Sequence, residues 1–283
     1  MPLGHRLAAA VAGLLALPGV LLPGATAAPT DGGAEYVAAE YVALGDSGAA
    51  TTGVRDVDLG APLLCARSTG NTPKLVAAEL GLRLDDRTCS SAKIDHLSTS
   101  QGPGIAPQFD ALGPATRLVT VHIGANDTGM TSYVVGCHLA GLGMGACTTD
   151  GWDAAIDGIA DEYSAALERI SQLAPKARVI VDGWPTYVRP GGCPELVGLR
   201  PEDAVLVQRA FDRLNAVVAR AAAEHGADYV DARGPSEGRD MCAPAGVRWF
   251  DPVLATETLL PYHPTPQGMR GVADLIVAAV RAR

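Results

Sequence analysis

Short β-branched runs and stretches of helical periodicity take turns along most of this chain, and that alternation limits the fold more than any other property. Strand signals fall at residues 40–44, 82–85, 117–123, 178–182 and 228–231. Between them, residues 72–80 read as a helix with Thr72 as N-cap, Pro73 at the first position and Gly81 just past the end. Residues 152–174 place Ile156, Ile159, Tyr163, Leu167 and Ile170 on one helical face. Residues 201–225 do the same with Val207, Phe211, Leu214 and Val218, and Gly226 closes that helix. Residues 265–283 read as a last helix with Pro266 in its first turn. Strands separated by helices of this length pair in parallel through crossovers, and the helices then cover both faces of the sheet. The expectation is an α/β fold: a doubly wound, flavodoxin-like, mostly parallel five-stranded sheet with helices on both faces. The Gly-rich segment 136–151 and the segment 190–199 read as loops pinned by disulfides.

Residues 1–28 have the make-up of a secretory signal peptide. Arg6 supplies the positive start, residues 7–22 the apolar stretch, and Ala25, Thr26, Ala27 and Ala28 the small residues of a cleavage site. Gly13, Pro18 and Gly19 interrupt the apolar stretch, which is too short to span a membrane well. The expectation is a single α/β domain over residues 29–283, exported, extracellular, monomeric and without a stable membrane anchor. Losing the leader moves the net charge from -9 to about -10, so the chain lacks the electrostatic footprint of a nucleic-acid binder. Its 48% hydrophobic and 19% charged residues exclude disorder as a description of the whole. Six cysteines in an exported chain read as three disulfides, with many connectivities open. Sequential pairing, Cys65–Cys89, Cys137–Cys147 and Cys193–Cys242, is preferred because each bridge then staples one local excursion between core elements. No Cys-x2-Cys or His-x3-His spacing occurs, so neither a metal nor another cofactor is expected.

Parallel strands bring their carboxyl ends to one edge, where open α/β sheets bind ligands. Gly45-Asp46-Ser47-Gly48 follows the first strand, Gly124-Ala125-Asn126-Asp127 follows the third, and Tyr262-His263-Pro264 precedes the last helix. A hydroxyl, an amide donor and an imidazole gathered there are the residue types of acyl transfer. The plainer readings stand beside this one. Asp46 and Ser47 can simply close a turn and cap the next segment, as Asn126 and Asp127 can after the third strand; Asp127 is read as structural. His122, inside a strand, reads as a core histidine, and His225 suits a helix C-terminus. His96 and His138 read as loop residues without a partner pattern. Ala49 spoils the Gly-x-Ser-x-Gly elbow of ordinary α/β-hydrolases.

In these three blocks the sequence resembles the SGNH, or GDSL, hydrolases, and most of all the secreted three-disulfide lipases and esterases of actinomycetes. The family's first block is Gly-Asp-Ser, here Gly45-Asp46-Ser47. Its third is Gly-x-Asn-Asp, here Gly124 to Asp127, and its fifth carries the His, here His263. The blocks stand in order across nearly the whole mature chain. The resemblance implies Ser47 as nucleophile and His263 as general base, then general acid. It also implies an oxyanion held by the Ser47 backbone N–H, the Asn126 amide and a second-block backbone N–H. That block usually has Gly; the matching Cys89-Ser90-Ser91-Ala92 has Ser91 there, and a backbone donor survives the change if Ser91 adopts the needed φ/ψ. Many members have Asp three residues before the His, where this chain has Leu260. The resemblance therefore implies a Ser–His dyad with the Leu260 carbonyl receiving the His263 Nδ1–H, and Asp251 and Glu257 as fallback partners. The implied reaction is hydrolysis of a small-molecule or lipid carboxylic ester. Deacetylation of an acetylated polysaccharide, or a non-catalytic binding module on the same fold, stays open. With only 3 Trp, 3 Phe and 7 Tyr, no aromatic sugar platform is evident, which favours an acyl-lipid or simple ester.

Overall fold

Two strands form the centre of the sheet. β1 (Tyr41–Gly45) and β3 (Leu118–His122) are buried at every residue, as strands covered on both faces must be. The structure, a computed structural model, describes residues 39–51 and 56–282; the leader expected over residues 1–28 lies outside them. β2 (Leu84–Asp86), β4 (Arg178–Asp182) and β5 (Asp228–Val230) complete a five-stranded sheet of order β2-β1-β3-β4-β5. Every neighbouring pair is parallel. This is the flavodoxin-like order, and its winding reverses between β1 and β3, where such folds open a crevice for ligands. Gly45 pairs with His122 in register, so the two strands end at the same level.

The helices are α1 (Ser47–Ala50), α2 (Thr72–Leu80), α3 (Met130–Gly141), α4 (Trp152–Gly158), α5 (Ala160–Leu173), α6 (Pro201–Glu224) and α7 (Pro266–Arg281). α2 packs on α7, while α4 and α5 pack on α6. The β1→β2 crossover runs one way along the sheet and β3→β4→β5 the other. Right-handed connections therefore send α2 and the α4–α6 group to opposite faces, and α7 returns to the side of α2. Local chemistry sets the ends. Pro201 opens α6, the buried stripe of Val207, Phe211, Leu214 and Val218 holds it to the core, and Gly226 at φ 67° turns the chain away. Thr265 Oγ1 accepts the Gly268 N–H at 3.1 Å to cap α7. Gly268 and Gly271 lie so close to Trp249 that a Cβ on either would overlap it, and this brings α7 down onto the segment beside His263.

Three elements differ from the sequence reading. Asn71, not Thr72, caps α2: its Oδ1 accepts the Lys74 N–H at 3.2 Å. The helix expected over 152–174 breaks at Ile159 (φ −80°, ψ −7°), next to Gly158, a weak helix former. The break directs Ile159 Cδ1 to within 3.1 Å of where a Gly124 Cβ would stand. The segment 136–151, expected as a loop, is helical as far as Gly141. Its glycines lower the propensity, but packing overrides them: Val134, Cys137 and His138 are buried, and Gly141 abuts the Gly198 carbonyl too closely for any Cβ. Residues 190–199 are irregular, as expected.

All three disulfides join the cysteines in sequential pairs, with separations of 24, 10 and 49 residues. Loop-closure entropy makes the widest bridge the most stabilising. Removing Cys193–Cys242 is expected to destabilise the protein by about 4 kcal/mol and removing Cys137–Cys147 by about 3 kcal/mol in the chain-entropy model. Denaturant titration of the two double-alanine variants checks that order; a reversed order would show that loop closure does not govern it.

Candidate active site

The last residue of β1 is held on both sides by one amide. Gly45 N–H donates to Gln108 Oε1 at 2.8 Å, and Gln108 Nε2 donates back to the Gly45 carbonyl at 3.0 Å. The chain then leaves the sheet through Asp46, whose N–H donates to the His122 carbonyl at 2.9 Å. Asp46 Oδ1 accepts the Gly48 N–H at 2.8 Å and so caps α1. These bonds set Ser47, half-buried, at the first position of α1 beyond the carboxyl end of β1.

Asn126 lies at the matching place after β3. Its Nδ2 donates to the Ala92 carbonyl at 2.9 Å, which leaves the amide's second hydrogen for a ligand. Asp127 Oδ1 accepts the Ile94 N–H at 3.0 Å. Burial raises the Asp127 carboxyl to about 6, against the pull of that N–H. The two side chains thus sew the turn after β3 to the segment that carries Ser91. Ser91 adopts φ 61°, the left-handed region where Gly is free of strain. Its backbone has the shape of a glycine position, although its side chain is exposed.

His263 is set by a short bridge between Phe250 and Pro264. Tyr262 N–H donates to the Asp251 carbonyl at 2.8 Å, and Asp251 N–H to the His263 carbonyl at 3.2 Å. The His263 Nδ1–H donates to the Pro261 carbonyl at 2.9 Å. Leu260, the expected acceptor, is otherwise engaged: its carbonyl takes the Thr258 hydroxyl at 2.7 Å. Asp251 is fully buried and serves the loop, its Oδ2 accepting the N–H groups of Thr256, Glu257 and Thr258 at 3.1, 2.7 and 2.6 Å. Asp251 and Glu257 both pair with Arg248, at 2.8 and 3.2 Å. The carbonyl contact fixes the tautomer that leaves Nε2 as an acceptor. Burial lowers the His263 pKa below the usual imidazole value, with the Pro261 carbonyl acting against it.

Ser47, Asn126 and His263 all line one cavity of about 390 Å³. Ser91 is not in its lining. Much of the wall comes from α3 and its cap: Met130, Val134 and His138 of the helix and Leu142 just past its end follow one another at steps of four and all face the cavity. Trp184 and Phe211 add aromatic surface. Among the described residues no group of three His, Cys, Asp or Glu is arranged to hold a metal. A hydroxyl, an amide and a neutral imidazole at the edge of an apolar cavity can carry acyl transfer.

Residues 43–270 match the family model for GDSL-like lipases and acylhydrolases. The chain belongs to that family. It is 40% identical over 248 residues to Lipase 2 of Streptomyces coelicolor, with 83% of each chain covered. It is 33% identical over 267 residues to a lipase of Streptomyces rimosus, covering 93% of this chain and 94% of that one. The crystal structure of the extracellular lipase from Streptomyces rimosus superposes with a TM-score of 0.70 at 28% identity, over 84% of this chain and 98% of that one. Phospholipase A1 from Streptomyces albidoflavus NA297 gives 0.69 at 28% identity, over 86% and 99%. This GDSL protein is a carboxylic ester hydrolase of the lipase and esterase kind.

Several residues of this GDSL hydrolase that shape the site escaped the sequence reading. His138 is no loop residue: it stands in α3, donates Nδ1–H to the Val197 carbonyl at 2.7 Å and accepts the Tyr262 hydroxyl at Nε2 at 2.6 Å. Tyr262 has φ 60°, a left-handed backbone that costs a non-glycine residue roughly 1–2 kcal/mol. The hydroxyl bond to His138 holds that turn one residue before His263. The signal was present as the four-residue spacing from Met130 to Leu142, hidden among glycines.

His122 is a core histidine, as expected, but a charged one. Its ring packs against Gly48 so closely that a Cβ there would overlap Nε2. Nδ1–H donates to Asp182 Oδ2 at 2.8 Å, and the ring stands 4.7 Å from that of Trp184. Burial pushes the imidazole down, yet Asp182 and then Asp46 outweigh it and raise its pKa to about 9. Burial in turn raises the Asp46 carboxyl above its usual range, with His122 opposing. A histidine that keeps its proton to about pH 9 when folded, and releases it near 6.5 when unfolded, contributes stability that is complete below pH 6.5. That contribution is lost as pH rises through 9. The melting temperature is therefore expected to fall across this window, and His122→Asn to flatten that part of the curve. Equal slopes in the two proteins would refute the charged imidazole.

Proposed function

We propose that this protein is exported and, as a monomer, hydrolyses carboxylic esters of apolar acyl chains through an acyl-enzyme on Ser47. The observation that carries the reading is the meeting of Ser47, Asn126 and His263 at one apolar cavity at the sheet's switch point. His263 Nε2 takes the Ser47 Oγ proton as that oxygen attacks the ester carbonyl carbon. The oxyanion accepts hydrogen bonds from the free Asn126 N–H and the Ser47 backbone N–H. The Ser91 backbone N–H, at the glycine-like turn outside the cavity lining, is the third donor that closure on substrate would bring in. Collapse breaks the ester C–O bond, and the leaving alcohol takes the proton from His263. Water, deprotonated by the same Nε2, then attacks the acyl-enzyme and releases the carboxylic acid and Ser47.

A neutral carbonyl stabilises the imidazolium less than a carboxylate does, so the oxyanion donors carry more of the barrier. The apolar wall supports an acyl chain over an acetyl group, in line with the lipases and the phospholipase A1 among its relatives. Export is supported by the leader-like residues 1–28 and by three disulfides, which persist in oxidising compartments. No helix among the described residues is long and apolar enough to cross a membrane.

A fluorophosphonate probe is expected to label the protein once, and Ser47→Ala to abolish both labelling and turnover of p-nitrophenyl esters. Persistent labelling in that variant would move the nucleophile elsewhere. Asn126→Ala is expected to lower kcat by about 10²–10³, the magnitude for one oxyanion donor, whereas Ser91→Ala is expected to be mild because only its main chain takes part. Since burial keeps the His263 pKa below 6.5, the acid limb of kcat/KM is expected below that pH; a limb at 7 or above would contradict a buried neutral base.

A further inference from the structure

The cavity opens through a surface that water does not suit. Cavity-lining Val135, Leu139 and Leu142 each have an exposed part, Leu142 to 55%. Close to cavity-lining residues in the sequence stand Met144 at 56%, Leu254 at 60% and Leu259 at 59%, all exposed. Met144 follows Leu142, Leu254 follows cavity-lining Val253, and Leu259 precedes cavity-lining Pro261. α3 is apolar on both sides: Met130 and Val134 are buried, while Val135 and Leu139 meet solvent. Apolar side chains on the solvent side of a helix forgo the burial that favours them. Large exposed apolar side chains gathered on segments that line one cavity point to an interaction site there.

Charge narrows what covers it. The whole of residues 128–149 contains no Asp, Glu, Lys or Arg, in a chain of net charge -9. Residues 258–264 contain none either. The α3 side of the belt, Met144 and Leu259 are thus uncharged on an acidic protein, so an anionic surface is repelled by the rest of the molecule and a cationic one finds no partner there. Position narrows it further. The belt and the cavity share residues, so a protein seated on the belt would plug the mouth. An occupant that covers the belt and still feeds the cavity is an aggregate of the substrate itself.

We propose that this belt docks the enzyme on an uncharged or zwitterionic lipid surface, from which an acyl chain passes directly along α3 into the cavity. This rests on the reading of the cavity as an acyl-ester site. The Cys137–Cys147 bridge joins α3 to the strand of chain bearing Met144, so the docking face is held in shape before contact. Preorganisation of that sort removes an ordering cost from binding.

The test uses the full exported chain, with Ser47→Ala for binding so that vesicles stay intact. Co-sedimentation with phosphatidylcholine vesicles is expected, and weaker binding to phosphatidylglycerol vesicles. Met144→Asp/Leu259→Asp, which alters neither the cavity wall nor the proposed catalytic residues, is expected to lower the vesicle partition by at least about tenfold. In the Ser47 form the same pair is expected to slow hydrolysis of emulsified triacylglycerol by a similar factor. Its kcat/KM on dispersed p-nitrophenyl butyrate is expected to stay within about twofold of the parent's. Equal partition of variant and parent, or preference for the anionic vesicles, overturns the docking surface while leaving the ester chemistry intact. A dimer that the two substitutions dissociate, with no vesicle binding in either form, assigns the belt to a second copy and overturns it too. Failure of the parent on the dispersed ester overturns the underlying reading instead.

Discussion

The pairing of β1 with β3 at Gly45 and His122 is the contact on which the rest of the site depends. It levels the two strand ends at the point where the winding reverses, and the main chain is spent on keeping it there. The His122 carbonyl receives the Asp46 N–H, and the Gln108 amide closes the remaining groups of Gly45. A side chain at position 45 would stand 2.6 Å from the His122 carbonyl oxygen and force the strands apart. Everything displayed at the crevice, Ser47 from one strand and Asn126 from the other, inherits its spacing from that register.

The layer beneath is equally constrained. Asp46, His122 and Asp182 are buried together, and such a group is tolerable only when each charge has a partner. His122 supplies the positive member and packs under Gly48 at the same time. The loop that carries His263 follows a different rule: Asp251 and Arg248 form a buried ion pair whose carboxylate gathers three main-chain N–H groups. Two carboxylates in the sequence near His263 are thus consumed in shaping its loop, and the imidazole is oriented by main chain alone.

Much of the fold was legible because its determinants are local. Residues 178–182 and 72–80 fall on β4 and α2, where β-branched alternation, a proline near the start and a glycine past the end all agree. The candidate site was legible for the same reason, since Ser47 and Asn126 follow strand ends and His263 precedes a helix. What escaped depends on contacts between distant residues or on backbone shape. The charge on His122 requires Asp182, 60 residues away. The helix α3 requires burial that outweighs its glycines. The acceptor for His263 moved from Leu260 to Pro261 because the left-handed turn at Tyr262 curls the carbonyl of the residue before it toward the ring, and no side-chain pattern encodes that.

The ionic layer under Gly48 also bears on how a rate profile is read. His263 and His122 both titrate near Ser47, and of these two only His263 lines the cavity. Loss of the His122 proton near pH 9 removes a positive charge from directly below the α1 turn, while His263 has been neutral since well below that pH. A fall in turnover on the alkaline side would then report an inner scaffold losing its counter-ion, not a base or nucleophile changing state. Its apparent midpoint would belong to His122 and Asp46 jointly. Such a midpoint would be insensitive to the ester used, because the group responsible never meets it.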